Sequence, residues 1–124
     1  MTEKTFEQWL QVYGRAWEDK NTEKFVSGFA ADANYYWTPF DTPQKGIDEI
    51  NKAFNEAIAS QEGINFDSQI LNVDNDRGLC QWWCSFTRIA TQQLINLDGI
   101  FLIKFNEENL CTEFREWWHT DEFM

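Results

Sequence analysis

Gly63 divides the sequence into two periodicities, and nothing else in the chain constrains its fold as strongly. Before it, apolar residues recur every three to four positions; after it they alternate, and proline disappears. Alternation without proline means strands, because successive strand side chains point to opposite faces and proline cannot donate to a ladder. A helical first half followed by strands on short turns predicts an α+β chain, with three N-terminal helices packed on one face of a curved antiparallel sheet.

In the first half, Thr5 with Gln8 reads as a capping box. Phe6, Trp9, Leu10, Tyr13, Ala16 and Trp17 then follow at helical spacing to about residue 20. Gly14 is a small helix penalty that leaves room for a close approach. Asn21-Thr22 breaks and recaps the chain, and Phe25, Val26 and Phe29 predict a short second helix. Residues 34–38 are expected as a strand, ended by Pro39 and the turn-rich segment through Pro43. Gly46 precedes a third helix with Ile47, Ile50, Ala53, Phe54, Ala57 and Ile58 as its buried stripe, ending near Ser60.

In the second half, four strands fit at about 64–74, 79–89, 93–105 and 109–119, joined by polar turns suited to antiparallel neighbours. Parity places Cys80, Trp82, Cys84 and Phe86 on one face with Ile95, Leu97, Gly99, Phe101, Ile103 and Phe105, then Leu110, Phe114 and Trp118. The helices are expected there. The opposite face is mixed, yet it carries Trp83, Ile100, Leu102 and Trp117, and exposed apolar groups of that size mark contact surfaces. A homodimer through this outer sheet face is therefore expected. No linker, repeat or low-complexity segment interrupts residues 1–124, which read as a single domain.

The net charge of −11 repels phosphate backbones and offers no basic stripe, so neither nucleic acid nor an anionic membrane is expected as a partner. A solvated surface explains the acidity; steering of a cationic ligand is the other reading. Residues 1–20 lack an apolar signal core, and no apolar run reaches the roughly 20 residues of a membrane span, so a cytoplasmic location is expected. Cys80 and Cys84 on one strand would lie about 13 Å apart, beyond disulfide reach, so the three cysteines read as buried thiols. With one histidine, no paired-cysteine spacing and no glycine-rich phosphate loop, neither a metal nor a cofactor is expected.

Several local marks follow one another along nearly the whole chain: the Tyr13-to-Asn21 helix turn, Phe29-Ala-Ala-Asp32, Trp37-Thr-Pro-Phe40 before Gly46, Leu97-Asp-Gly99 and Glu116-Trp-Trp118. In their order and spacing they resemble the SnoaL-like, nuclear transport factor 2-like superfamily. The resemblance implies a cone-like fold enclosing a hydrophobic cavity, commonly dimeric. It implies no single reaction, since members include ketosteroid isomerase, polyketide cyclases, epoxide hydrolases, dehydratases and non-catalytic binding domains. The isomerase's first-helix tyrosine, a donor to an oxyanion, matches Tyr13. Its general-base aspartate falls at Thr38 and its protonated acid at Phe101, so two of those three groups are missing here. The epoxide hydrolase's Asp-Arg-Asp set is not identifiable either.

The chemistry left to such a pocket rests on few residues. By parity Arg88 and Glu116 are the ionisable inward positions, and a carboxylate walled by aromatic rings is pushed toward its protonated form, which suits an acid or base. Pairing of Glu116 with Arg88, Arg15 or a pocket-mouth amide is the structural alternative. His119 faces outward beside a frayed tail over residues 120–124, unless a bulge in the last strand swaps the faces and brings Arg115 and His119 inward. Tyr13, Trp17, Tyr36, Thr38, Trp82, Phe86, Phe101, Glu116 and Trp118 are the expected pocket residues, with Glu116 and Tyr13 the candidate catalytic pair. The expected ligand is a small apolar or aromatic molecule, handled by a lyase, isomerase or cyclase working through Glu116. The other expectation is a non-enzymatic dimeric binding or accessory module whose pocket is filled by its own side chains.

Overall fold

A computed structural model describes the backbone of residues 1–123 and the side chains of residues 1–121. The elements run α1 (Glu3–Glu18), α2 (Thr22–Val26), β1 (Phe29–Tyr36), β2 (Gln44–Lys45), α3 (Gly46–Ile58), β3 (Gln61–Asp74), β4 (Arg77–Arg88), β5 (Leu94–Phe105) and β6 (Cys111–Phe123). They form an α+β fold with one six-stranded sheet in the order β2-β1-β6-β5-β4-β3.

The sheet is mixed, which corrects the expectation of a wholly antiparallel one. β1 lies parallel to β6, with Tyr35 beside Phe114 and Tyr36 beside Arg115, while the other strand pairs are antiparallel. Hairpin turns announce antiparallel pairs; a parallel pair between distant segments leaves no local mark.

Helix α1 starts earlier than Thr5. The Thr2 hydroxyl accepts from the Thr5 amide at 3.1 Å, so Thr2 is the N-cap and the Thr5–Gln8 box does not form. The apolar stripe of α1 is buried as its spacing requires, and Gly14 supplies the close approach: an added Cβ there would collide with the Phe66 ring on β3. The same contact is held from the other side by Glu18, whose carboxylate accepts from the Phe66 amide at 2.9 Å. Asn21 caps α2, but Phe29 belongs to β1 and not to that helix. β1 begins before Asn34 and stops at Tyr36, leaving Trp37 and Thr38 outside it.

The register across β4, β5 and β6 sets two helix-facing rows: Cys80–Phe101–Glu116 and, beside it, Trp82–Gly99–Trp118. The irregularity in β6 lies between Cys111 and Glu113, opposite Lys104 and Phe105 of β5 and before Glu116, so no swap of faces follows and Arg115 and His119 point away from the helices. β6 continues through the segment expected to fray, as far as Phe123; Met124 lies outside the described residues. Cys80, Cys84 and Cys111 are buried and unbridged.

Gly99 is a packing requirement of this register. A Cβ there would overlap the Trp117 carbonyl and come within 2.9 Å of Trp82 Nε1 and of Trp118 Cβ. Gly99→Ala is therefore expected to lower unfolding free energy by about 1–3 kcal/mol in chemical denaturation, the usual cost of overpacking; unchanged stability would show that the row is looser than described.

Candidate functional site

Between the helices and the sheet lies a cavity of about 380 Å³. Helix α1 contributes Tyr13 and Trp17, one turn apart on its buried stripe, and α3 contributes Phe54, Ala57 and Ile58 opposite them. The floor is sheet: Tyr35 from β1, Trp82 and Phe86 from β4, Ile95 and Leu97 from β5, Glu116 and Trp118 from β6. Trp37 closes one side just beyond β1, and Gln61 and Arg88 stand where β3 and β4 meet.

The structure brings together six of the expected pocket residues: Tyr13, Trp17, Trp82, Phe86, Glu116 and Trp118. Three others do not line the cavity. Tyr36 is one residue out of phase, lying against the Arg115 guanidinium at 3.9 Å from its ring centre on the far side of the sheet. Its neighbour Tyr35 takes the inward position. Thr38 sits past the strand end and donates to Asp41 at 3.0 Å. Phe101 is inward but covered, stacked on Trp82 with centroids 4.7 Å apart and edge-on to Phe114 at 4.6 Å. Nothing plugs the cavity at Trp82, Phe101 and Trp118; Trp118 stands at its rim, 43% exposed.

The polar groups fall into two sets. The Tyr13 and Tyr35 hydroxyls are buried and 2.7 Å apart, so one phenol donates to the other and the second keeps a proton to give. Burial, then the nearby Glu116 carboxyl, pushes both phenols well above their usual range, so they remain neutral donors. The Tyr13 ring cannot drift, being stacked between Trp9 and Phe114 at 5.4 Å from each. Trp17 Nε1 donates to the Gln61 side-chain oxygen at 2.9 Å, which leaves the Gln61 amide nitrogen for another partner.

Glu116 is 9% exposed, and its carboxyl has no hydrogen-bond or ion-pair partner among the described residues. Burial alone pushes it well above the ordinary carboxylate range. The alternative pairings are absent for geometric reasons. Arg15 is on the exposed face of α1. Arg88 lies eight residues from Cys80 along β4, roughly 26 Å at strand rise, whereas Cys80 shares the Glu116 row. Arg88 instead lies near the Phe86 ring, 5.8 Å from its centre.

Other nucleophiles are out of play. Burial pushes the Cys80 and Cys84 thiols up to about 12 and raises Cys111 as well, so none supplies a thiolate near neutrality. Among the described residues no group of three or more His, Cys, Asp or Glu is placed to hold a metal ion, and no helix is long and apolar enough to cross a membrane. Among the polar groups of the cavity, Tyr35 and Gln61 are ones that sequence reasoning missed; the aromatic run Tyr35-Tyr-Trp37 offered bulky groups to both faces and no polar residue to set the phase.

The fold has many solved counterparts. RV0760c from Mycobacterium tuberculosis superposes with a TM-score of 0.82 at 15% identity, covering 99% of each chain; another structure of it holds estradiol-17beta-hemisuccinate. The epoxide hydrolase/cyclase-like enzyme SalBIII, of pyran ring formation in the polyether salinomycin, gives 0.84 at 12% identity over 98% of each chain. Delta 5-3-ketosteroid isomerase from Mycobacterium sp. gives 0.80 at 14% identity over 96% of this chain and 98% of that one. No curated protein matches the sequence. The SnoaL-like domain family model matches residues 9–114, most of the chain. With this match the chain belongs to the SnoaL-like domain family, and it shares its fold with these solved structures.

Proposed function

We propose that this protein is a single SnoaL-like domain that binds a small apolar or aromatic molecule in a cone-like enclosure of helices over sheet, with Glu116 as its proton-exchanging group. The observation that carries this reading is the unpartnered Glu116 carboxyl at an aromatic cavity of about 380 Å³, within the usual size range of ligand pockets. The Tyr13–Tyr35 pair fixes the polar end of the ligand by donating a hydrogen bond, and the tryptophans hold its flat frame. With Thr38 engaged by Asp41 and Phe101 covered by Trp82, the isomerase's base and second acid have no counterparts at those positions. Glu116, opposite Phe101 in the register, is the acid in their place. Proton transfer by Glu116 suits a lyase, isomerase or cyclase step on a substrate with an acidic C–H or a basic leaving oxygen. Steroid-like ligands in related folds are compatible with the aromatic lining.

A homodimer through the outer sheet face belongs to the same proposal. Ile100 lies beside Trp117, and Leu79 beside Leu102, with Trp83 diagonal to Ile100. Trp117 is 42% exposed there, an apolar group of the size that marks contact surfaces.

Native mass spectrometry of the protein mixed with a metabolite library is expected to retain a small molecule, and Ala57→Trp, which fills the cavity from α3, to lose it. Retention unchanged by Ala57→Trp would place the ligand elsewhere. Glu116 also leaves a signature in stability. Its folded pKa is raised, so its protonated form is favoured in the fold; its contribution is complete below about pH 4.5 and is lost as pH rises through the folded pKa. Glu116→Gln should therefore gain melting temperature relative to the native protein as pH is raised from 5 to 8. A difference that stays constant across that range would mean Glu116 is not held protonated. Light scattering should give a dimer at micromolar concentration and a monomer for Trp83→Glu; a monomeric native protein would refute the interface.

A further inference from the structure

We infer that the ligand is an organic cation: a primary or substituted ammonium group seated against Glu116, with its apolar frame between tryptophan faces. This rests on the proposed pocket and names the class of molecule that pocket takes.

The cavity is built around one unpartnered acid and a set of rings. Glu116 sits one row from Trp82 and Trp118 on the sheet, and Trp17 packs over Trp82 with centroids 5.9 Å apart. Trp37 and Tyr35 complete the wall, 5.9 Å apart and edge to face. Aromatic faces present negative charge to a cation, and tryptophan does so most strongly. Ionising a buried carboxyl without a partner costs desolvation that nothing among the described residues offsets; an ammonium ion arriving with its own charge offsets it in a way that a neutral oxygen does not.

Among the described lining residues the cationic side chain is Arg88, which stands beside Gln61 at the β3–β4 end of the cavity, near Phe86, and makes no ion pair with Glu116. The remaining ionisable groups at the cavity are Tyr13, Tyr35 and Glu56, none of them cationic. The protein's net charge of −11 adds a long-range field that draws cations toward the mouth. Protons balance on binding. An ammonium ion that displaces the Glu116 proton releases it to water, and a free amine takes that same proton from the carboxyl, giving an identical ammonium–carboxylate pair.

Matched probes separate charge from shape. Calorimetric titration at pH 7 with benzylamine, 1-naphthylmethylamine and cyclohexylmethylamine, each against its alcohol counterpart, should give the amines at least about tenfold tighter binding. Glu116→Gln should abolish that preference, with an unchanged far-ultraviolet circular dichroism spectrum certifying that the variant is folded. Alcohols binding as tightly as amines, or an amine preference that survives Glu116→Gln, overturns the cation inference and leaves the pocket reading intact. Failure of every probe to bind overturns the pocket reading itself, and the inference with it.

Discussion

An uninterrupted register across β4, β5 and β6 decides which side chains meet the helices, and the rest of the structure follows from it. Because strand side chains alternate, a one-residue slip of β6 would turn Arg115 and His119 toward the helices and Phe114 and Glu116 away from them. Gly99 pins the arrangement at its centre: it is the position at which the Trp117 carbonyl and the Trp82 and Trp118 side chains converge. With the row fixed, α1 packs its stripe on that face, Gly14 meets Phe66, and the space left between Tyr13, Trp82 and Glu116 becomes the cavity. The core is correspondingly aromatic. Phe25 and Phe54 stack at 3.7 Å to join the two shorter helices, and Tyr35 stacks on Phe114 at 4.2 Å to join β1 to β6.

Much of this is legible in the sequence because it rests on local periodicity. Trp82, Phe86, Glu116 and Trp118 are inward by alternation alone, and Tyr13 and Trp17 are buried by helical spacing. The features that escape are those set by distant partners. Whether Tyr35 or Tyr36 faces inward depends on the parallel pairing of β1 with β6, which seats Tyr36 beside Arg115; nothing near residue 35 records it. Thr38 and Phe101 are pocket positions only by analogy with the family. Here β1 ends two residues before Thr38, and Trp82 covers Phe101. The two-residue β2 is too short to leave a pattern, and the Thr2 cap was hidden by the stronger-looking pair Thr5 and Gln8.

Fold alone does not fix chemistry. In this chain the acid stands on β6, directly across from the β5 position where the isomerase resemblance puts one. The two phenols cannot ionise near neutrality and Arg88 stands at the β3–β4 end of the cavity without an ion pair to Glu116, so charge beside the phenols is governed by one carboxyl. That makes binding, proton transfer and pH response different readings of a single group.

The most direct test of this account is the titration of Glu116 itself, followed by carbon NMR of its side-chain carboxyl in the ligand-free protein and assigned with Glu116→Gln. A midpoint well above 4.5 is the result expected for a buried, unpartnered acid. A midpoint at or below 4.5 would mean that water or a protein cation reaches Glu116, and the site would lose the feature on which its proposed chemistry depends.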